Sequence, residues 1–264
     1  MHPFANLTIP KGSVGIHWFE QNSYVIKNSH STIVLVDPYF PHDRPADVFV
    51  HTEPPLDESQ LPINYVLMTH AHLDHTNSET LNRIHKYWQG AKYVGPKESI
   101  KQILEETEIN EKQTTTISAG ESSKIGTMTV YAVYAKPPEG DPKAGIGKPD
   151  VTHLGFVVEV DGIRLYFTGD EINTFGDNDD LIKAVADLHP DIGFITMHPT
   201  EGEFPFIDGS IKMAQRIGLK TVVPAHYSCF VKRDFDPQKW AEQFPVDGVK
   251  PLIIQPNSHI VYTV

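Results

Sequence analysis

One short segment of the sequence concentrates side chains that can bind a metal ion. The pattern His-x-His-x-Asp-His, formed by His70, His72, Asp74 and His75, directly follows the apolar segment Tyr65–Thr69. Neutral imidazoles and a carboxylate are the donors that first-row divalent ions prefer. A strand over the apolar segment would fix the backbone, so that the following loop can turn several side chains toward one point. The spacing therefore indicates a metal site rather than a polar loop with incidental histidines.

Donors from one loop cannot complete the sites of two ions, and three further candidates flank predicted strands. His153 precedes one such strand, and Asp170 and His226 each follow one. Loops at strand ends gather into sites, and Gly169 would let the backbone turn closely around an ion beside Asp170. A single histidine or aspartate at a strand end is more often a cap or turn residue. Their common placement favours one shared site.

The elements that must position these donors follow from apolar periodicity. Predicted strands are Val14–Phe19, Tyr24–Lys27, Thr32–Val36, Tyr65–Thr69, Met128–Ala135, Leu154–Val160, Arg164–Thr168, Ile192–Thr196, Thr221–Pro224 and Ile260–Thr263. Predicted helices are Ser78–Trp88, Lys97–Glu106, Asp179–Leu188, Asp208–Ile217 and Pro237–Gln243. This order favours an α/β sandwich over a barrel of eight βα units. The segment Lys136–Asp150, rich in proline and glycine, is predicted to be a long loop and a wall of the site.

Composition limits the classes of protein that the chain can represent. With 264 residues, of which 39% are hydrophobic, we expect a single domain over residues 1–264. The net charge of −12 and the lack of a dense Lys/Arg run argue against nucleic-acid partners. No apolar run approaches the roughly 20 residues of a membrane span, and the N-terminus lacks a signal-peptide pattern. The single cysteine, Cys229, cannot form an internal disulfide, so we expect a cytoplasmic protein.

The metal-binding pattern, with its distant donors, resembles the metallo-β-lactamase superfamily from about Val14 to the C-terminus. Within that superfamily the chain is most similar to the ascorbate-6-phosphate lactonase-like group of hydrolases. This closer similarity rests on Val94-Gly95-Pro96-Lys97, on the short spacing from His153 to Asp170, and on Pro224-Ala225-His226-Tyr227. The resemblance implies a four-layer αββα sandwich with the metals at one edge of the two sheets.

The resemblance also implies a role for each candidate residue. One ion would be held by His70, His72 and His153, and a second by Asp74, His75 and His226, with Asp170 bridging the two. Asp37, after a predicted strand, matches an acid that orients ligands, although an Asp-Pro turn explains it equally well. Tyr227 and Asp208 are candidates on the substrate side, but Tyr227 also fits a core position and Asp208 fits a helix N-cap.

Departures from the family pattern limit what can be transferred. The chain reads Glu20-Gln21-Asn22-Ser23 where many relatives read Gly-His-Ala-Ser, which puts any substrate contact by that histidine in doubt. Ser228 stands where relatives often have glycine. The cysteine ligand typical of antibiotic-hydrolysing lactamases is absent at Asp170. We therefore do not expect antibiotic hydrolysis.

The sequence thus predicts a metal-dependent hydrolase with one or two divalent ions per chain, zinc or manganese. Metal-activated hydroxide would attack a small-molecule ester, lactone or phosphoester, and Asp74 would be catalytic by orienting the water or accepting its proton. The rivals are a di-iron oxidoreductase, which needs an electron-delivering domain or partner, and a nuclease, which would carry an inserted domain or basic arm. A non-catalytic metal-binding protein and a homo-oligomeric state both remain open.

Overall fold

The computed structural model describes residues 1–264, which form fourteen strands and five α-helices. The strands are β1 (Val14–Glu20), β2 (Ser23–Lys27), β3 (Ile33–Val36), β4 (Tyr65–Leu67), β5 (Lys92–Gly95), β6 (Thr114–Thr116), β7 (Ser122–Ile125), β8 (Met128–Tyr134), β9 (Leu154–Val160), β10 (Ile163–Phe167), β11 (Ile192–Thr196), β12 (Thr221–Ala225), β13 (Lys250–Pro251) and β14 (Ser258–Tyr262). The helices are α1 (Ser78–Tyr87), α2 (Lys97–Glu106), α3 (Asp179–Ala186), α4 (Ile207–Ile217) and α5 (Pro237–Ala241). None of the helices is long and apolar enough to cross a membrane.

The strands form two seven-stranded mixed sheets. The first sheet has the order β14-β1-β2-β3-β4-β5-β6, and the second has the order β13-β12-β11-β10-β9-β8-β7. In the first sheet β3 to β6 run parallel, and β1 has the same direction because two antiparallel pairings join it to β3. In the second sheet β10, β11 and β12 are parallel, whereas β9 is antiparallel to β10. The carboxyl ends of several strands therefore meet the start of β9 at one edge of each sheet.

Three clusters of buried apolar side chains separate four layers. The largest, of 27 residues, lies between the sheets, and two clusters of 18 residues lie between each sheet and its helices. The strand β3 explains the pattern, because Val34 and Val36 face the other sheet while Ile33 and Leu35 face α1 and α2. A strand buried on both faces reads as a continuous apolar run. The expected four-layer αββα sandwich is confirmed.

The predicted element boundaries need several corrections. Strands β5, β6, β7 and β13 are missing from the prediction because they are short, partly polar or, in β13, contain a proline. The strand β4 ends at Leu67, two residues early, because the amide of Thr69 donates to the side chain of Asp37 rather than to a neighbouring strand. Helix α1 is capped by Asn77, whose side chain accepts from the amide of Thr80. The segment Lys136–Asp150 contains no named helix or strand, as predicted.

Candidate metal centre

Three imidazoles meet where β4 and β9 reach the common edge of the sheets. The rings of His70 and His153 stack with centroids 4.1 Å apart, and Nε2 of His70 lies 3.1 Å from Nδ1 of His72. One nitrogen from each of the three rings lies within 4.8 Å of the others. His70 and His153 are buried, whereas the side chain of His72 is 33% exposed. We call these three residues the first cluster.

A second group of donors lies beside the first and combines two imidazoles with a carboxylate. Oδ2 of Asp74 is 3.5 Å from Nε2 of His226 and 3.8 Å from Nε2 of His75. Both histidines are buried, and the side chain of Asp74 is 20% exposed. These three residues form the second cluster, and they agree with the division of donors that the family resemblance implies.

Asp170 stands between the two clusters. Its Oδ2 lies 3.7 Å from Nε2 of His70, and its Oδ1 lies 3.3 Å from Nε2 of His75 and 3.5 Å from Nε2 of His226. Gly169 makes this approach feasible, since it adopts a φ of 64° and a Cβ there would stand 2.8 Å from the carbonyl oxygen of Leu154. One carboxylate therefore presents an oxygen to each cluster.

Asp37 supports the second cluster from behind. Its Oδ2 accepts from Nδ1 of His75 at 2.8 Å, which leaves Nε2 of that ring facing the cluster. Both oxygens also accept from Thr69, whose amide and hydroxyl donate at 2.7 and 2.6 Å. The hydroxyl of Thr69 in turn lies 3.0 Å from Nδ1 of His70, so it accepts from that ring. One buried carboxylate is thus hydrogen-bonded to a histidine of the second cluster directly and to one of the first cluster through Thr69, and the orienting role of Asp37 toward metal ligands stays a prediction.

Asp150 is a site residue that the sequence analysis did not identify. Its Oδ2 accepts from Nε2 of His72 at 2.9 Å, which leaves Nδ1 of the ring facing the first cluster. Asp150 belongs to the loop between β8 and β9, and its side chain is 71% exposed. The signal in the sequence was its position at the end of the loop predicted to line the site.

Burial and neighbouring charges set the protonation of the first cluster. Burial lowers the pKa of His70 well below its ordinary value, and His75 and His153 lower it further. Burial and the nearby Lys136 lower the pKa of His153 to about 3. These two rings are therefore neutral at pH 7, which is the form that binds metal ions.

The second cluster is governed by its carboxylates. Burial would raise the pKa of Asp74, but His75 and His226 lower it to about 2. Burial would likewise raise the pKa of Asp170, and the same two histidines hold it well below the usual range. Burial opposes a charge on His75, yet Asp170, Asp74 and Asp37 raise its pKa well above 6.5. The second cluster consequently attracts positive charge.

The donor set fits divalent ions. Both ring nitrogens of His153 are buried without a hydrogen-bond partner, as is Oε1 of Gln21. A buried polar atom left unpaired costs about 1–3 kcal/mol, and an ion bound by the imidazole would remove that cost. His70 and His153, which are neutral, and Asp74 and Asp170, which are ionised, are in the protonation states that ligation requires, whereas an ion bound at Nε2 of His75 would displace a proton from that ring.

Gln21 is a second residue whose place was not predicted, since the sequence marked it only as a departure from the family. It follows β1 and is fully buried. Its Nε2 lies 3.2 Å from Oδ2 of Asp74, 3.1 Å from Nε2 of His75 and 3.3 Å from Nε2 of His226. The side chain therefore reaches the second cluster directly.

The two predicted substrate-side residues are not brought to the donor groups. Tyr227 is buried between Trp18 and Phe235, with ring centroids 4.6 and 4.8 Å away, and belongs to the core between the sheets. Asp208 is exposed in the first turn of α4, where its Oδ1 accepts from the amide of Gly209. Their geometry agrees with the core and helix-start interpretations, so a substrate contact by either residue stays a prediction.

A cleft of about 710 Å³ opens beside Asp74. This volume lies within the range of about 300–1,000 Å³ that is usual for small-molecule sites. Its wall combines apolar and charged side chains, namely Tyr39, Asp47, Val48, Leu73, Glu201, Phe230, Lys232 and Arg233. Arg233 is paired with Glu201 and Glu203, whereas Lys232 makes no ion pair. The donor clusters therefore adjoin a space large enough for a small molecule.

The fold and the edge site define an αββα sandwich with a candidate two-ion centre, and comparison with known proteins agrees. The family described as Beta-lactamase superfamily domain matches residues 15–226. The chain therefore belongs to this family.

Three similar proteins illustrate the range of the relatives. A UPF0173 metal-dependent hydrolase from Staphylococcus saprophyticus is 26% identical, over 92% of this chain and 98% of its own. The structure of Igni18, a metallo hydrolase from Ignicoccus hospitalis, has a TM-score of 0.70 at 17% identity, covering 96% of this chain and 99% of that one. CmlA, a diiron β-hydroxylase from Streptomyces venezuelae, has a TM-score of 0.68 at 16% identity, covering 97% of this chain and 55% of that one. At these identities the two structures show the fold alone.

Proposed function

We propose that this protein is a metal-dependent hydrolase of small molecules. The observation that carries the proposal is the pair of donor clusters that share Asp170 beside a cleft. The relatives named metal-dependent hydrolases, which align with nearly the whole chain, support the same activity. His70, His72 and His153 would hold one ion, and the second cluster would hold another. Zinc and manganese both suit such a set of imidazoles and carboxylates.

The bound ions and Asp74 would have different roles in hydrolysis. Divalent ions held in the two clusters would act as Lewis acids, which would acidify water and withdraw charge from a carbonyl or phosphoryl oxygen. Asp74 lies between the second cluster and the cleft, so its free carboxylate oxygen can orient the attacking water. An acid with a pKa of about 2 holds a proton poorly at neutral pH. Asp74 would therefore orient the water, and the proton that the water loses would leave to solvent through the open cleft that Asp74 lines.

The cleft favours a substrate with an apolar body and an anionic group. Leu73 is 65% exposed and Val48 is 43% exposed on its wall, which offers apolar surface to a ligand. Lys232, free of ion pairs, offers a positive charge nearby. Esters, lactones and phosphoesters that carry such groups are the substrate class we infer. Nucleic acid is disfavoured, since the net charge is −12. A cytoplasmic location would suit the unpaired, buried Cys229.

Metal analysis combined with an activity screen tests this proposal. The purified chain would be assayed for bound metals and then offered lactones, phosphodiesters, thioesters and β-lactams. We expect zinc or manganese together with hydrolysis of an ester, lactone or phosphoester, and loss of turnover after chelation. A metal-loaded chain that hydrolyses no member of the panel, in contrast to a related hydrolase assayed in parallel, would count against hydrolysis.

A di-iron oxidoreductase is the second candidate, because the fold of the diiron β-hydroxylase CmlA covers 97% of this chain. Imidazoles and carboxylates also suit iron. The same metal analysis separates the two functions. Iron with a reducible spectroscopic signal and oxygen consumption would favour the oxidoreductase, whereas turnover with zinc or manganese under anaerobic conditions would favour the hydrolase.

A further inference from the structure

Gln21 is held in place more firmly than a residue of a surface turn needs. Its amide donates to the carbonyl oxygen of Tyr227 at 2.9 Å, and its own carbonyl oxygen accepts from the amide of His226 and from Nε1 of Trp18. The backbone has a φ of 51°, a left-handed conformation that is uncommon for residues other than glycine. Such a conformation persists only where the surroundings fix it, and it recurs at ligand sites.

The fixed backbone places the end of the side chain at a particular point of the second cluster. The terminal atom of Gln21 lies 3.1–3.3 Å from the donor atoms of Asp74, His75 and His226. Ligand atoms bound to one ion at about 2.0–2.1 Å stand about 3.3 Å from each other. The terminal atom of Gln21 thus occupies the place of a further ligand, at ordinary ligand spacing from all three.

The two ends of the amide differ in what they can do at that point. The NH₂ group has no lone pair to give, whereas the carbonyl oxygen has two. The NH₂ group faces the donors, and Oε1 is buried without a hydrogen-bond partner. A rotation of 180° about the terminal bond exchanges the two ends without moving the rest of the side chain. An ion bound at the cluster would use the lone pairs that now accept hydrogen bonds from the NH₂ group. The rotation would then turn the NH₂ group away from the cluster and bring Oε1 to the ion.

We propose that Oε1 of Gln21 is a ligand of the ion held by Asp74, His75 and His226. This inference rests on the proposed metal centre and adds a neutral oxygen donor to it. Neutral and anionic oxygen donors suit manganese better than they suit softer ions. The second cluster, with oxygens from Asp74, Asp170 and Gln21, would therefore accept oxygen-preferring ions more readily than the all-imidazole first cluster does.

Metal titration of the metal-free chain, followed by calorimetry and by the visible spectrum of cobalt(II), tests the proposal without an activity assay. Wild type should bind two ions. Gln21→Met keeps the length of the side chain but removes the oxygen, so it should weaken the second ion about tenfold or more and leave the first unchanged. Gln21→Glu supplies a charged oxygen and should tighten the second ion. Gln238→Met, on the exposed start of α5, is the matched control.

The outcomes separate this inference from the proposed function. If wild type binds two ions and Gln21→Met binds the second as tightly as wild type or more tightly, the side chain is no ligand, and the metal centre stands. A wild-type chain that binds no divalent ion would reject the metal centre and the role of Gln21 together. Circular dichroism melts of each variant check the fold, and Gln21→Glu keeps the test decisive if Gln21→Met is unstable.

Discussion

The two donor clusters adjoin each other but are built in opposite ways. The second is supported from the protein core, since the orienting acid Asp37 is 1% exposed and bonds to His75 and Thr69. The first is completed from the surface, since the acid that orients His72 is Asp150, which is 71% exposed in a loop. The second cluster carries carboxylate charge, whereas the first consists of imidazoles alone. The two clusters therefore differ in charge and in the exposure of the acid that bonds directly to one of their histidines.

This difference separates the contributions of the fold and of the loop. The buried residues that contact the second cluster, Gln21 and Asp37, directly follow β1 and β3. Folding of these strands therefore places them beside the cluster. A hydrogen bond to an exposed acid competes with water, so the first cluster depends less on its support. We expect substitutions that act on the shared or buried parts to have large effects, and those on the loop to have small ones.

The largest effect should follow removal of the carboxylate that both clusters share. Two divalent ions close together repel each other, and Asp170 is the charge placed to offset that repulsion. Asp170→Ala should lower bound metal from two ions towards one, retain the ion of the three imidazoles longer, and reduce turnover about 100-fold or more. Metal titration and steady-state kinetics measure both effects. The control is Asp247→Ala, at an exposed aspartate, and equal saturation of wild type and mutant at a single ion would show that Asp170 is not a bridge.

A somewhat smaller loss of turnover should follow Asp74→Asn. The amide keeps the shape of the side chain but removes the charge that orients water, and general acid–base groups contribute about 100-fold or more. The fold should survive, because the side chain is 20% exposed at the edge of the cleft. Turnover, together with a thermal melt, measures the effect. Near-native turnover in this variant would exclude an essential role for Asp74.

The buried support of the second cluster gives the next effect. In Asp37→Asn the amide can no longer accept from both His75 and Thr69 through a charged oxygen, so the ring of His75 loses its fixed tautomer. Loss of such a support weakens a metal site about 10–100-fold. Calorimetric titration should show the weaker binding chiefly in the second ion. An equal weakening of both ions would indicate that the relay through Thr69 to His70 matters as much.

The sequence predicted the parts of the site that leave a local pattern. The six-residue run from His70 to His75 is contiguous, and His153, Asp170 and His226 each adjoin a strand with a clear apolar pattern. The structure brings all of them together, and the four-layer sandwich that positions them is confirmed. Their binding of metal stays a prediction.

The parts that were not predicted depend on tertiary placement. Asp150 is one of 34 acidic residues and lies in a loop without periodicity, so only its position at the end of the loop predicted to line the site distinguishes it. Gln21 reaches the second cluster from a left-handed backbone conformation, which no residue pattern in the sequence predicts. Tyr227 has the same sequence neighbourhood whether it lines a site or the core, and only the tertiary structure shows that its ring packs against Trp18. Short edge strands such as β6 and β13 were not predicted for a related reason. Their pairing with a neighbouring strand, and not their composition, defines them.

The smallest effect is expected at Asp150, and it tests the comparison most sharply because it acts on the same chemical feature as Asp37. Asp150→Asn keeps an oxygen near Nε2 of His72 but removes the charge. Exposed pairs of this kind contribute about 0.2–1 kcal/mol, which corresponds to a loss of about 1.4- to fivefold in the affinity for the first ion. Added salt should shrink the difference further, since exposed charges are screened. Glu139→Gln, which removes an equally exposed acid of the same loop, is the matched control and should change neither ion. A loss far beyond tenfold at Asp150, or one equal to that of Asp37→Asn, would mean that the loop is as firmly placed as the core and that the two clusters are alike in construction.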